Sequence, residues 1–312
     1  MENYLKRIKI IKKEVPILTK ESFRLATSGT RCTVFLSDNF VVRFRDKEPS
    51  RLKREIKLLE LLKHPLIPKI VWQGKIGGKL AMIENRLPGQ TLDLIWRVLP
   101  ETAKNQIIND LLEFLIYLRT NHKDQIYSVK TGRHYPNFLK FLTAGLESKT
   151  EKISKNDSAK KLISEINPIL KSQEAKNLFI PKLVSLVHGD LIIHNLLTDG
   201  KNLTGVLDWE FSLWGDPDYD LARIWYYHEC AKAYEQAGED ETFEADFTNR
   251  LMQKIIGSKL IASQNLFLKK YNVLRAFFYL NALTWAYSSA EPEKNIAELT
   301  SNWLVKKRGR QI

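Results

Sequence analysis

The chain has 312 residues, of which 44% are hydrophobic, 27% charged and 10% aromatic, a balance that supports a sizeable core in one or two domains and excludes disorder for the bulk. Its two cysteines, Cys32 and Cys230, are too few and too far apart in sequence for a disulfide framework or a zinc site, which fits a reducing compartment. The formal net charge of +13 is concentrated: residues 1–87 carry 20 Lys/Arg against 9 Asp/Glu, and residues 88–312 carry 29 against 27. Such a basic block attracts a nucleoside triphosphate as readily as a duplex. No helix-turn-helix, finger or aromatic-basic signature accompanies it, so nucleic acid is not expected as a partner. The first residues, Met1 to Arg7, are not followed by the apolar core of a signal peptide, and no apolar run reaches the roughly 18 residues of a membrane span. A cytoplasmic protein without a membrane partner is the expectation.

Residues 22–45 read as two or three short strands. Phe40, Val42 and Phe44 alternate with Val41, Arg43 and Arg45 after a Ser37-Asp38-Asn39 turn. Ser50 is the expected N-cap of a helix in which Leu52, Ile56, Leu59 and Leu62 recur at helical spacing, and Pro65 and Pro68 stop it. Two further strands, Lys69–Gln73 and Lys79–Glu84, flank a Gly77-Gly78 turn. Leu87-Pro88-Gly89 marks a linker. Beyond it the pattern is mostly helical: residues 101–120 carry Ile107, Ile108, Leu111, Leu115 and Leu118 on one face, and long amphipathic helices return from about Asp218. Between 183 and 208 three short apolar segments read as strands. The domains expected are 1–87, a small β-rich lobe, and 88–312, a larger helical lobe.

The chemistry concentrates in residues 188–220, HGDLIIHNLLTDGKNLTGVLDWEFSLWGDPDYD. Asn195 follows Asp190 by five residues, and Asp208 follows thirteen residues later. Two carboxylates and one side-chain amide on turns around short strands suit a magnesium–nucleotide site. Magnesium takes hard oxygen ligands and keeps some waters, so one carboxylate and one amide suffice beside phosphate oxygens. The other carboxylate is left to orient a hydroxyl and accept its proton.

This pattern resembles the aminoglycoside phosphotransferase and choline kinase family of small-molecule kinases. The resemblance rests on HGDxxxxN, an Asp at an apolar strand end, and GDPxxDLA, with Gly189 where protein kinases carry Arg. It implies an α+β, protein-kinase-like two-lobe fold: a five-stranded antiparallel N-lobe with one helix, and a larger, mainly helical C-lobe. It also implies Asp190 as catalytic base and Asn195 and Asp208 as holders of Mg²⁺. His188 would support the loop, and Asp216, Asp218 and Asp220 would be mostly structural.

In the first lobe the resemblance implies a phosphate-contacting basic residue on the third strand, paired with a helical glutamate; Arg43 and Glu55 occupy those places. Arg45 shares the face of Arg43, so the register between the two stays open. Ser28, Gly29 and Thr30 fall where the family's nucleotide-covering loop lies, and Glu84, Asn85 and Arg86 where a hinge pairs with the adenine edge.

The expected activity is transfer of the γ-phosphoryl group from ATP (or GTP), with Mg²⁺, to a hydroxyl of a small, cationic molecule, an aminoglycoside-like amino sugar or an amino alcohol such as choline. The competing reading is a catalytically silent nucleotide-binding protein on the same fold. For the acceptor there are two sequence pointers. Glu235, Glu239, Asp240, Glu241, Glu244 and Asp246 lie in a stretch free of basic residues, and Trp209, Trp214, Trp225, Tyr226, Tyr227, Trp285 and Tyr287 cluster in sequence, with core packing expected for most of these aromatics. The Asp208-Trp209-Glu210-Phe211 string resembles a segment of bacterial choline kinases, and that resemblance implies Glu210 as an assistant to the metal. Oligomeric state has no signature in the sequence.

Overall fold

The computed structural model describes residues 2–26, 33–45, 48–154, 156–179, 184–236, 242–258, 260–289 and 291–308. The chain divides into two compact units, one of residues 1–111, 128–133 and 193–212, the other of 112–127, 134–192 and 213–312.

The first unit is built on an antiparallel sheet of β1 (Arg24–Leu25), β2 (Thr33–Leu36), β3 (Phe40–Phe44), β4 (Ile70–Ile76) and β5 (Lys79–Asn85), in the order β1-β2-β3-β5-β4. The five strands and the helix after the third agree with the α+β fold expected from the sequence. Period-two alternation in β3 sends Val42 and Phe44 into a core with Phe35, Ile76, Ala81 and Ile83, where the Phe35 and Phe44 rings meet edge to face at 5.9 Å. The opposite face of the same strands carries Val41 and Arg43, with Glu84 as the register partner of Val41. Gly77 and Gly78, with φ of 56° and 77°, make the two-residue turn joining β4 to β5.

A helix the sequence reading did not identify, α1 (Glu2–Glu14), completes that core through Ile11, followed by Val15 and Leu18. Helix α2 (Pro49–Leu61) buries Leu52, Glu55, Ile56 and Leu59. It begins differently from expectation. Glu48, at φ 55°, precedes it without a side-chain cap, and Pro49 opens it, placing Ser50 inside the first turn. Proline supplies the helical φ and lacks the N–H that a cap would satisfy, so it can start the helix ahead of Ser50.

Residues 193–212 return to the first unit as a short turn, Ile193–Asn195, and an antiparallel pair, Leu196–Thr198 with Leu203–Val206. Gln90–Thr91 adds a third strand on Leu197 and Thr198. Gly89 (φ 96°) is required there, because a Cβ would lie 2.2 Å from the Thr198 carbonyl oxygen.

In the second unit the fully buried strand Val184–Val187 pairs with Leu213–Gly215 on one side and His122–Lys123 on the other. Helices Tyr219–Gln236, Thr242–Ile256, Gln264–Tyr287 and Pro292–Arg308 supply the rest of its body, with Asp157–Lys171. Phe138, Phe179, Tyr219 and Phe278 form one aromatic cluster, with centroids 5.3–5.9 Å apart in successive contacts. Ser263 caps the long helix by accepting from the Leu266 amide at 3.3 Å. Among the described residues no helix is long and apolar enough to cross a membrane.

Candidate active site

The first unit contains a cavity of about 690 Å³ lined by Arg43, Glu84, Asn195 and Asp208, with Leu36, Val41, Leu197 and Leu207 as apolar walls. Arg43 reaches it because it stands on the sheet face opposite the core. Its two terminal nitrogens donate to the two carboxylate oxygens of Glu55 at 2.7 and 3.2 Å, a forked geometry that lysine cannot reproduce. Glu84 Oε2 stands 3.9 Å from Arg43 Nη1. Burial works against the Arg43 charge, but Glu55, Glu84 and Asp208 outweigh it and hold its pKa above the ordinary value. Burial raises the Glu55 carboxyl despite the arginine beside it.

Asn195 and Asp208 line the same cavity. The Asn195 carbonyl accepts from the Leu207 amide at 2.8 Å, which ties the turn to the residue before Asp208. Asp208 sits at φ 64°, ψ 65°, a left-handed conformation costing about 1–3 kcal/mol outside glycine, held by its surroundings. After it, Trp209 is buried and donates from Nε1 to the Val206 carbonyl at 2.9 Å. Glu210 is buried and gripped by two arginines, Arg45 through Oε2 and Arg51 through Oε1 at 2.9 Å. Glu210 therefore anchors the segment. One carboxylate and one amide oxygen facing a cavity with a fixed guanidinium is a donor set of the hard-oxygen kind that magnesium takes.

In the second unit His188, Gly189 and Asp190 follow the buried strand. The Asp220 carboxylate accepts from the His188 amide at 2.7 Å and from the Gly189 amide at 2.8 Å, bracing the loop. Gly189 has φ 85°. Burial raises the Asp220 carboxyl, opposed by His188 and by these two amides. The Asp190 amide donates to His188 Nδ1 at 3.3 Å, so His188 supports the loop from inside. Arg223 donates to Asp190 Oδ1 at 3.2 Å and to the Tyr227 hydroxyl at 2.8 Å, and that hydroxyl lies 3.4 Å from the same carboxylate oxygen. Lys270 binds Asp216 and Asp218, each at 2.8 Å, and Arg119 meets Asp218 at 3.3 Å, a structural ion-pair network.

Other sequence-derived candidates fare differently. Ser28, Gly29 and Thr30 lie outside the described residues. At the end of β5 the Asn85 amide donates to Lys69 O at 3.0 Å and the Arg86 amide to Asn39 O at 2.8 Å, so both are committed within the protein. The Arg86 guanidinium donates to Ser37 O at 2.8 Å. Of the acidic stretch, Glu235's side chain and residues 239–241 lie outside what is described, and Asp246 pairs with Arg250 at 2.7 Å. Trp209, Trp214 and Tyr226 are core residues, whereas Trp285 is 70% exposed. Arg51 and Arg223 carry no expectation from the sequence; helical spacing from Asp220 is the available signal for Arg223.

The first unit thus carries a five-stranded antiparallel sheet with an Arg–Glu pair, a carboxylate and an amide on one cavity, and the second unit carries a braced HGD loop. The phosphotransferase enzyme family model matches residues 22–248, and the chain belongs to that family. A 56-residue segment is 36% identical to hygromycin-B 4-O-kinase of Escherichia coli, a match spanning 18% of this chain and 16% of that enzyme.

Solved structures share the fold at low identity. Aminoglycoside phosphotransferase APH(4)-Ia, as a thermostable mutant in ternary complex with AMP-PNP and hygromycin B, is similar with a TM-score of 0.67 and 16% identity over 96% of this chain and 100% of that one. ADP-bound APH(2'')-Ib gives 0.65 and 19% over 94% and 97%. A choline/ethanolamine kinase family protein from Mesorhizobium loti gives 0.62 and 15% over 97% and 95%.

Proposed function

We propose that the protein transfers the γ-phosphoryl group of ATP or GTP, with Mg²⁺, to a hydroxyl of a small cationic molecule, an amino sugar or amino alcohol. The observation that carries this reading is the Arg43–Glu55 ion pair on the cavity that Asn195 and Asp208 also line. Arg43 keeps guanidinium N–H groups beyond those given to Glu55, and these suit α- and β-phosphate oxygens. Asn195 and Asp208 would hold Mg²⁺ through an amide and a carboxylate oxygen; when bound, the ion supplies positive charge to phosphate oxygens. The apolar walls suit a flat base.

Asp190 would orient the acceptor hydroxyl and take its proton. Arg223 and Tyr227 hold its Oδ1, which fixes the carboxylate's rotamer. Catalysis of this kind draws on positioning and electrostatics more than on covalent chemistry by the protein. The test is nucleotide binding by calorimetry. Mg²⁺ should strengthen ATP or GTP binding to the native protein, and Asp208→Ala should lose at least about tenfold of that gain. An unchanged magnesium effect in that variant would reject the role of Asp208.

A further inference from the structure

Glu84 has an environment that the hinge reading leaves unexplained. Its residue is 5% exposed, on the cavity-facing side of β5, opposite Val41. Its Oε2 is buried and accepts no hydrogen bond from the described residues. The nearest cation, Arg43, stands 3.9 Å away and directs both terminal nitrogens at Glu55. A buried carboxyl oxygen left without a donor costs the fold its lost hydration, and native interiors rarely tolerate that without a use. Burial pushes this carboxyl up to about 7.

The surroundings limit what can supply the missing donor. Leu36 and Val41 from the sheet and Ala26 just after β1, with Leu197 and Leu207 from the returning segment, line the same cavity and form walls that suit a flat ring. The adjacent amides of Asn85 and Arg86 are already engaged within the protein. An N–H group on the edge of a ring between those walls is the complementary partner.

We infer that the Glu84 carboxyl group reads the base of the bound nucleoside triphosphate by accepting a hydrogen bond from a purine N–H donor. This rests on the proposed phosphotransferase function and assigns its nucleotide selectivity to a side chain rather than to backbone groups. ATP offers the N6 amino group, and GTP its N1–H and N2 amino group. A purine riboside triphosphate, with no N–H donor on its base, offers neither.

Calorimetric binding of these three magnesium nucleotides to the native protein and to Glu84→Leu, Glu84→Met and Glu84→Gln tests the inference. The tighter-binding of ATP and GTP should exceed purine riboside triphosphate by at least about tenfold in the native protein. That ratio should shrink at least about fivefold in Glu84→Leu or Glu84→Met and stay within about twofold in Glu84→Gln, which keeps an acceptor oxygen. The methionine variant provides a second apolar replacement if leucine prevents folding. Equal binding of all three nucleotides to the native protein, or an undiminished ratio in the apolar variants, overturns the inference and leaves the phosphotransferase function standing. Binding of none of the three overturns both.

Discussion

Arg43 grips Glu55 through two parallel hydrogen bonds of 2.7 and 3.2 Å, and Glu55 has no exposed surface. Removing one partner leaves a buried group uncompensated, whereas replacing both with apolar side chains removes the problem. Arg43→Met should therefore destabilise the fold by about 3–5 kcal/mol, and Arg43→Met/Glu55→Met should recover more than half of that. Urea unfolding of both variants checks it; additive losses would contradict a coupled pair.

The Asp220 carboxylate serves two loop amides, and an alanine there abandons both. Two charge-assisted hydrogen bonds are worth roughly 1.5–3 kcal/mol each, so Asp220→Ala should cost at least about 3 kcal/mol. Asp220→Asn, which keeps one acceptor, should fall between it and the native protein. Thermal unfolding gives the order; equal midpoints for the three proteins would show that the brace is idle.

Arg223 donates to the Asp190 carboxylate at 3.2 Å. Arg223→Met should lower kcat by about ten- to a hundredfold while leaving nucleotide affinity within about twofold. Tyr227→Phe should cost less, since Arg223 still holds the carboxylate. Steady-state kinetics with calorimetry separates the two effects, and a loss of nucleotide affinity equal to the loss of kcat would refute the positioning role.

Glu84 gives a pH dependence of defined sign. Burial raises its carboxyl from an ordinary 4.5 to about 7, with Arg43 opposing and Glu55 and Asp208 adding to the rise. The native state therefore holds this proton across that window while the unfolded state releases it, so stability is lost as pH rises. Glu84→Gln removes that titration. Its stability relative to the native protein should improve by up to about 3 kcal/mol from about pH 4 to about pH 8, at 1.36 kcal/mol per unit. Denaturant curves at the two pH values, without nucleotide, measure it; parallel curves would contradict the buried, donor-poor environment.

Much of the fold was legible because its signals are periodic or local. Leu52, Ile56 and Leu59 spell out the buried face of α2, and Phe40 to Phe44 alternate across β3. The Gly77-Gly78 turn announces its hairpin. Helix α1 was harder to read: Lys and Arg interrupt its apolar residues, of which Ile11 is buried while Ile8 and Ile10 pack partly buried against the core. Strands of two or three residues, such as His122–Lys123 and Leu213–Gly215, are too short to show alternation. Glu210 illustrates the limit at the site. Its partner Arg45 lies 165 positions away, and no local pattern reports a pair closed only by the tertiary fold.

Phosphoryl transfer is tested by mass detection of products from Mg-ATP and Mg-GTP across aminoglycosides, choline, ethanolamine and simple sugars. The Asp190→Ala protein serves as control. A phosphorylated cationic acceptor should form with the native protein and disappear in the control while nucleotide binding persists. Product formed equally well by the Asp190→Ala protein would contradict that expectation.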